Sequence, residues 1–289
     1  MDAKLIKELK DMSNAGLMDC KKALEETNGN IEEAMDYLRK KGIAKAAKKA
    51  DRVAVEGLSK IVIDGNKAVI YEVNCETDFV SANEKFKAIV DKIGDVLIKS
   101  DAKDLDEALN LPTDEGTLND AIVNVTATMG EKISLRRFTI LEKTDSQNFG
   151  DYIHMGGKIA VLTLVEGASV DVAKDVAMHS AAMRPKYVKR EDVDSSEIER
   201  ETEILKTQAM NEGKPEEIAE KMVSGRINKF YKEICLEEQE FVKNPDQTVG
   251  TFVKSNNGSI VNMIRYEVGE GMEKKEENFV EEVMSQIKQ

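Results

Sequence analysis

The chain has 289 residues, enough for about two domains. Its 41% apolar and 34% charged content is that of a soluble globular protein, and with no tryptophan and only 5% aromatics it advertises no base-stacking surface for nucleic acid. A formal net charge of −13 disfavours a general polyanion binder. That charge is uneven: residues 1–52 hold 12 Lys+Arg against 10 Asp+Glu, a net +2 that leaves −15 for the remainder. Cys20, Cys75 and Cys235 are odd in number, widely separated and without a CxxC spacing, so they read as small buried apolar residues of a reducing compartment rather than a zinc site or disulfide framework. No apolar run is long enough to span a membrane and the N-terminus lacks a signal-peptide core, so the expected location is the cytoplasm.

Residues 1–42 read as three short helices. The first carries Leu5, Leu9 and Met12, and the second carries Leu17, Cys20 and Leu24 before Asn28-Gly29. The third carries Ile31, Ala34, Met35 and Leu38 and is expected to end at Gly42. Helices this short bury their stripes only against one another, which predicts a compact three-helix module over residues 1–54 that includes a basic linker from Lys45 to Arg52. Met18 falls off the second stripe, because Lys21, Lys22 and Glu25 are its neighbours three, four and seven residues on. It is either a partner anchor or an ordinary surface methionine.

The period then changes to strand. Leu58–Ile63, a turn at Asp64-Gly65-Asn66 and Lys67–Val73 give a hairpin signal. Ser81-Ala82-Asn83-Glu84 has the pattern of a capping box, followed by Phe86, Ile89, Val90, Ile93 and Leu97 at helical spacing. Asp78 and Phe79 are thereby expected in the short connection between strand and helix. Two readings of Phe79 stay open: presentation to a partner, or a place at the top of the buried stripe seven residues before Phe86. An acidic, helix-prone stretch follows over residues 101–124, then a third strand over Ile133–Leu141.

The pattern repeats. Tyr152–Met155, Gly156-Gly157 and Lys158–Val165 form a second hairpin, a helix covers Val170–Met183, and Ser259–Val268 supplies a closing strand. An internal duplication follows from this order: core subdomains at 55–142 and at 143–188 with 233–268, each a small antiparallel sheet covered by helix. Between the parts of the second lies a helical hairpin, residues 189–232. Ser196 caps its first helix, Ile198 and Leu205 lie seven apart, Asn211–Pro215 makes the turn, and Ile218, Met222, Ile227, Phe230 and Tyr231 continue an apolar face. Contact with a second copy of the chain is expected through this arm or through the core, or the arm is decoration. Phe241–Phe252 reads as loop and helix. Residues 269–289 make a C-terminal module with an acidic helix around Phe279, Val283 and Met284. The fold class expected is α+β.

Catalytic constellations are missing from the sequence. Gly150 to Lys158 has the wrong spacing for a phosphate-binding loop, and HExxH, GxSxG and EF-hand patterns do not occur. Of two histidines, His179 sits in an apolar helix as a core residue, whereas His154 adjoins the Gly-Gly turn and is expected to be exposed. Arg136 and Arg137 read as residues facing solvent or surface acids, or as phosphate ligands. Neither a metal nor a cofactor is called for, and the substrate of such a chain is another protein.

Gly16-Leu17-Met18-Asp19-Cys20-Lys21-Lys22-Ala23-Leu24 and Glu72-Val73-Asn74-Cys75-Glu76-Thr77-Asp78-Phe79-Val80 together closely resemble the two signature stretches of the translation elongation factor Ts family. The resemblance extends over the whole chain, in the order of the full bacterial form, and implies a ubiquitin-associated-like N-terminal module, a duplicated core, a coiled-coil insertion and a C-terminal module. It implies an exchange factor for elongation factor Tu, not an enzyme. Thr77, Asp78, Phe79 and Val80 match the residues that enter the nucleotide-binding domain of Tu and disturb its magnesium and phosphate site. Leu17, Met18 and Lys21 match a contact surface on that same domain, and Met129 and Gly130 match a further contact. His154 matches a histidine facing another domain of Tu, although Met155-Gly156-Gly157-Lys158 departs from the usual sequence there. Direct nucleic-acid or membrane contact is not implied.

Three other readings compete. A ubiquitin-associated-like adaptor without exchange activity would use the N-terminal module alone. An enzyme would use Cys20 or Cys75 as nucleophile, and an RNA binder would use the basic linker against the overall acidity.

Overall fold

The structure is a computed structural model that describes residues 2–13, 15–212 and 216–272. Part of the expected turn at 211–215 and the expected helix around Phe279, Val283 and Met284 lie outside the described residues. The chain groups into two compact units. The first takes the chain up to Lys60, Tyr71–Thr139 and the segment from Glu267, and the second takes Ile61–Ile70 and Ile140–Tyr266.

In the first unit, α1 (Ala3–Ser13), α2 (Leu17–Glu26) and α3 (Ile31–Ala47) pack around Leu9, Cys20, Ala23, Leu24 and Ala34. Two stripe expectations fail: Met12 and Leu17 are exposed, because three helices of this length enclose only one small layer of side chains. The third helix also passes through Gly42 rather than ending there. Gly42 lies against the later helix at Leu118–Met129, its Cβ position only 3.5 Å from the Ala127 side chain, and Arg39 pairs with Asp120 at 2.8 Å. Packing against a neighbour outweighs the roughly 1 kcal/mol helix cost of the glycine.

Strands β1 (Glu56–Asp64) and β2 (Lys67–Cys75) follow the expected hairpin. Next come α4 (Asp78–Ala82), α5 (Glu84–Ile98), α6 (Leu105–Leu109), the two-residue strands β3 (Pro112–Thr113) and β4 (Gly116–Thr117), α7 (Leu118–Met129) and β5 (Ser134–Glu142). The sheet order is β1-β2-β5. The expected capping box at Ser81 is not formed. Asn83 instead takes an extended conformation and accepts from the Lys85 amide, so α4 and α5 are separate helices with separate caps. Phe86, Ile89, Val90, Ile93 and Leu97 are buried as the spacing predicts.

In the second unit, β6 (Gln147–His154) pairs antiparallel with β7 (Ile159–Glu166), from Gln147 opposite Glu166 to His154 opposite Ile159. Helix α8 (Val170–Met183) covers both strands, with the Thr163 hydroxyl donating to the Ala173 carbonyl at 2.8 Å. The helices α9 (Ser195–Asn211) and α10 (Glu216–Ile234) pack on each other through Leu205, Ala209 and Val223. The cap of α9 is Asp194, accepting from the Ser196 amide, rather than Ser196 itself. Strands β8 (Glu240–Phe241) and β9 (Asn244–Thr248), helix α11 (Val249–Ser255) and β10 (Ser259–Glu267) complete the described chain. The second three-stranded sheet has the order β10-β7-β6, so each sheet places its closing strand beside the second strand of its hairpin.

His179 on α8 is fully buried and satisfied. Its Nδ1 accepts from the Val242 amide at 3.3 Å, which places the proton on Nε2 so that it donates to the Gln239 side-chain Oε1 at 2.9 Å. Burial lowers its pKa against the opposing effect of Gln239.

The two arginines of β5 behave otherwise than the sequence suggests. Glu72 on β2 has no exposed surface, and its carboxylate accepts from Arg136 Nη1 at 2.9 Å, Arg137 Nε at 2.6 Å, the Gly269 amide at 2.9 Å and Asn74 Nδ2 at 3.1 Å. Burial pushes the Glu72 pKa up, but the Gly269 amide and the two guanidinium groups outweigh it and hold the carboxyl below its ordinary value. A depressed value contributes stability that is fully present above the unfolded-state pKa of about 4.3 and is lost as pH falls through the folded-state value. Glu72→Ala is therefore expected to cost about 3 kcal/mol near neutral pH, the lower end for a broken buried pair because both arginines remain partly hydrated. Urea unfolding also checks the pH dependence: the loss of stability below about pH 4.3 should be smaller in Glu72→Gln than in wild type.

Candidate functional site

The stretch after β2 is built by three side chains that close a turn. Thr77 is extended and caps α4, its hydroxyl oxygen accepting from the Val80 amide at 3.3 Å. The same hydroxyl donates to Glu131 Oε1 at 2.7 Å, while Glu131 Oε2 accepts from the Thr77 amide at 3.0 Å and the Glu76 amide at 3.2 Å. The exchange runs in the other direction as well: Glu76 Oε1 accepts from the Lys132 amide at 2.6 Å, and the Arg52 guanidinium lies 3.3 Å from both Glu76 carboxylate oxygens. Lys132 Nζ in turn donates to the Ala50 carbonyl at 2.6 Å. Cys75, fully buried, donates its thiol to the Thr77 carbonyl at 3.2 Å.

This arrangement turns Phe79 outward. Within a helical turn successive residues are separated by about 100°, so the burial of Val80 (9% exposed) and Ser81 directs Asp78 and Phe79 to the surface. Phe79 is 84% exposed. The seven-residue spacing to Phe86 has no meaning across the break at Asn83, and the buried-stripe reading of Phe79 is thereby overturned. An aromatic ring this exposed contributes little burial to the free chain, and it sits on a turn that is capped and clamped.

Gly130 explains how Glu131 reaches Thr77. Helix α7 ends there in a left-handed conformation (φ 82°), with the Gly130 amide bonded to the Thr126 carbonyl, and the chain leaves the helix toward Glu76–Thr77. A side chain at this φ costs strain, so glycine is required by the turn itself. Gly130 is exposed and Met129 half-buried. These two expected site residues are thus brought beside the Phe79 turn by the residue that follows them.

The other expected residues sit on their own elements. On α2 the burial of Cys20, Ala23 and Leu24 leaves Leu17 (56%) and Met18 (72%) exposed, with Lys21 beside them in an exposed ion pair to Glu25 at 3.9 Å. His154 ends β6, exposed, with its ring stacked on Tyr152 at 6.0 Å between centroids. After it come Met155 and Gly156, both at positive φ and both exposed. The three cysteines are free and buried, and burial pushes the Cys235 thiol up to about 11, far from a thiolate nucleophile. Among the described residues no group of three or more His, Cys, Asp or Glu is placed to hold a metal ion, and no helix is long and apolar enough to cross a membrane.

Sequence reasoning missed Glu131 and the anchoring role of Glu72. The signal for Glu131 was an acid immediately after a helix-ending glycine. Glu72 opened the signature stretch, but its anchoring role was not legible, because its charged partners and the Gly269 amide lie 64, 65 and 197 residues away and only Asn74 is local.

One exposed apolar ring, Phe79, thus stands on a turn held by hydrogen-bonded carboxylates, the geometry of a protein-binding module. The family described as elongation factor Ts matches residues 76–270, more than half of the chain, and the protein belongs to that family. Its members serve translation elongation as nucleotide exchange factors for elongation factor Tu. The match contains Thr77, Asp78, Phe79, Val80, Met129, Gly130 and His154, and begins after Leu17, Met18 and Lys21.

The exposure pattern of the turn has a stability signature. Phe79→Ala is expected to change the unfolding free energy by less than about 0.5 kcal/mol. Val80→Ala, one residue on, should cost about 1.5 kcal/mol or more through lost burial. Chemical denaturation of the two variants checks the contrast.

Proposed function

We propose that this protein binds elongation factor Tu carrying GDP and promotes GDP release by inserting the Asp78-Phe79 turn into the nucleotide-binding domain of Tu. The ring of Phe79 acts as the wedge. Thr77 and Val80 hold it from either side, Thr77 as the helix cap and Val80 as the buried residue that aims it outward. Asp78 stands next to the ring as an exposed carboxylate, and acts either by hydrogen bonding or by repelling phosphate charge. Leu17, Met18 and Lys21, with Met129 and Gly130, supply further contact, and His154 supplies contact to a separate domain of Tu. The expected compartment is the cytoplasm, where translation elongation proceeds.

The physical basis is linkage. A nucleoside diphosphate is held in Tu-like domains by loop amides and a magnesium ion bridging protein and phosphate oxygens. A wedge that distorts this environment weakens nucleotide binding, and the nucleotide weakens factor binding by the same factor. The observation that carries the reading is the 84% exposure of Phe79 on a turn that five hydrogen bonds to Glu131, Glu76 and Val80 hold in place. A ring of this kind, desolvated in a partner, contributes about 2 kcal/mol or more as an interface anchor.

Stopped-flow release of a fluorescent GDP analogue from elongation factor Tu tests it. Wild type should accelerate release in a concentration-dependent manner, and Phe79→Ala should lose about tenfold or more of that acceleration. Full acceleration by the folded Phe79→Ala variant would move the mechanism away from the ring.

A further inference from the structure

The Phe79 turn is too short to hold itself. Helix α4 has five residues, and a single helical turn fixes several backbone dihedrals for about one hydrogen bond, which is unfavourable in isolation. Its cap bond, Thr77 hydroxyl oxygen to Val80 amide, is long at 3.3 Å. Glu76 and Cys75 add bonds to the turn, and Ser81 bonds back to the Thr77 and Asp78 carbonyls, but the side chain that takes most donors from the residues entering α4 is Glu131: its two carboxylate oxygens receive the Thr77 hydroxyl, the Thr77 amide and the Glu76 amide. With its proton committed to Glu131, the Thr77 hydroxyl is left with its lone pairs for Val80. One side chain therefore sets both the backbone entering α4 and the rotor that caps it. Bonds from neutral donors to an ionised acceptor are roughly twice as strong as neutral pairs.

We propose that Glu131 is a positioning residue for exchange: it does not touch Tu, but holds Glu76-Thr77 so that the Phe79 ring meets its pocket already ordered. This rests on the reading of Phe79 as the wedge. The advantage is entropic. Ordering a mobile segment at the moment of association subtracts from binding, and a segment ordered beforehand avoids that loss. A binding partner for Glu131 other than its own chain is not needed, since all three of its bonds point to the turn.

The test is a double-mutant cycle on Tu·GDP release, with the full-length protein. Glu131→Ala should reduce the acceleration about tenfold in the wild-type background and less than about twofold in the Phe79→Ala background, because a residue acting through the ring has nothing to position once the ring is gone. Glu131→Gln keeps the side-chain size and one carbonyl acceptor, so it should fall between wild type and Glu131→Ala. A packing role would instead be rescued fully by Gln. Amide NMR supplies the second readout: in both Glu131 variants the Glu76 and Thr77 resonances should move upfield and the Val80 amide should lose protection, while signals of β1 stay in place. Equal losses in the two Phe79 backgrounds, or full acceleration by Glu131→Ala, would overturn the proposal. If Phe79→Ala itself exchanges normally, the wedge reading fails, and the NMR result decides the clamp alone: unchanged Thr77 and Val80 amides overturn it, and altered ones sustain it.

Discussion

A carboxylate removed from water loses several kcal/mol of hydration even after the surroundings relax, and a single partner seldom recovers it. Glu72 meets that constraint with donors from three parts of the chain: Asn74 on its own strand, Arg136 and Arg137 on β5, and the Gly269 amide beyond β10. The arginines are held in turn by the Glu267 and Glu270 carbonyls, and Arg137 also by the Glu270 carboxylate. Gly269 is the residue type this approach requires. Its φ is 75°, and a Cβ there would stand 2.5 Å from the Val55 carbonyl oxygen. The charge on Glu72 thus fastens β2 sideways to β5 and fastens the segment at Gly269 to β2. Since β2 ends at Cys75, this also fixes where the Glu76–Val80 turn begins.

Beyond that anchor, the turn depends on a different use of the same chemistry. Glu131 and Glu76 are carboxylates at partly exposed positions that accept from backbone amides of each other's loops. No large desolvation cost arises there, so the bonds serve geometry rather than net stability. The product is an apolar ring held in water. Such a ring gains nothing in the free protein and about 2 kcal/mol or more when a partner buries it. Loop ordering also costs free energy on association, and that is the cost the proposed Glu131 clamp meets in advance.

The fold was legible where periodicity governs it. Phe86 to Leu97 form a buried stripe at helical spacing, as do Val172, Ala173, Val176 and Ala177 within the helix expected over Val170–Met183, and the run Lys67–Val73 with the turn at Gly65 specified the first hairpin. Errors fell at helix ends. Gly42, Ser81 and Ser196 each carried a plausible local signal, and each was overridden: by packing against α7, by the caps Thr77 and Asn83, and by Asp194 one residue before the helix. The site was legible in part. Its exposed residues stood out because they broke a stripe, as Met18 did, or sat at a chain reversal, as Phe79 did. Its supports did not, because hydrogen bonds between Thr77 and Glu131 or between Glu72 and Gly269 span 54 and 197 residues. Charge pairing over that distance leaves no periodic trace.

The most direct test of a ring that works by linkage is the reciprocal affinity. Calorimetric titration of this protein into nucleotide-free elongation factor Tu and into Tu saturated with GDP and magnesium gives two dissociation constants whose ratio is the coupling between the sites. The expected result is much tighter binding to nucleotide-free Tu by wild type, with the ratio collapsing toward one in Phe79→Ala. A ratio that Phe79→Ala leaves unchanged, even with both affinities reduced, would mean that the ring contributes only adhesion and that the coupling to GDP is carried elsewhere.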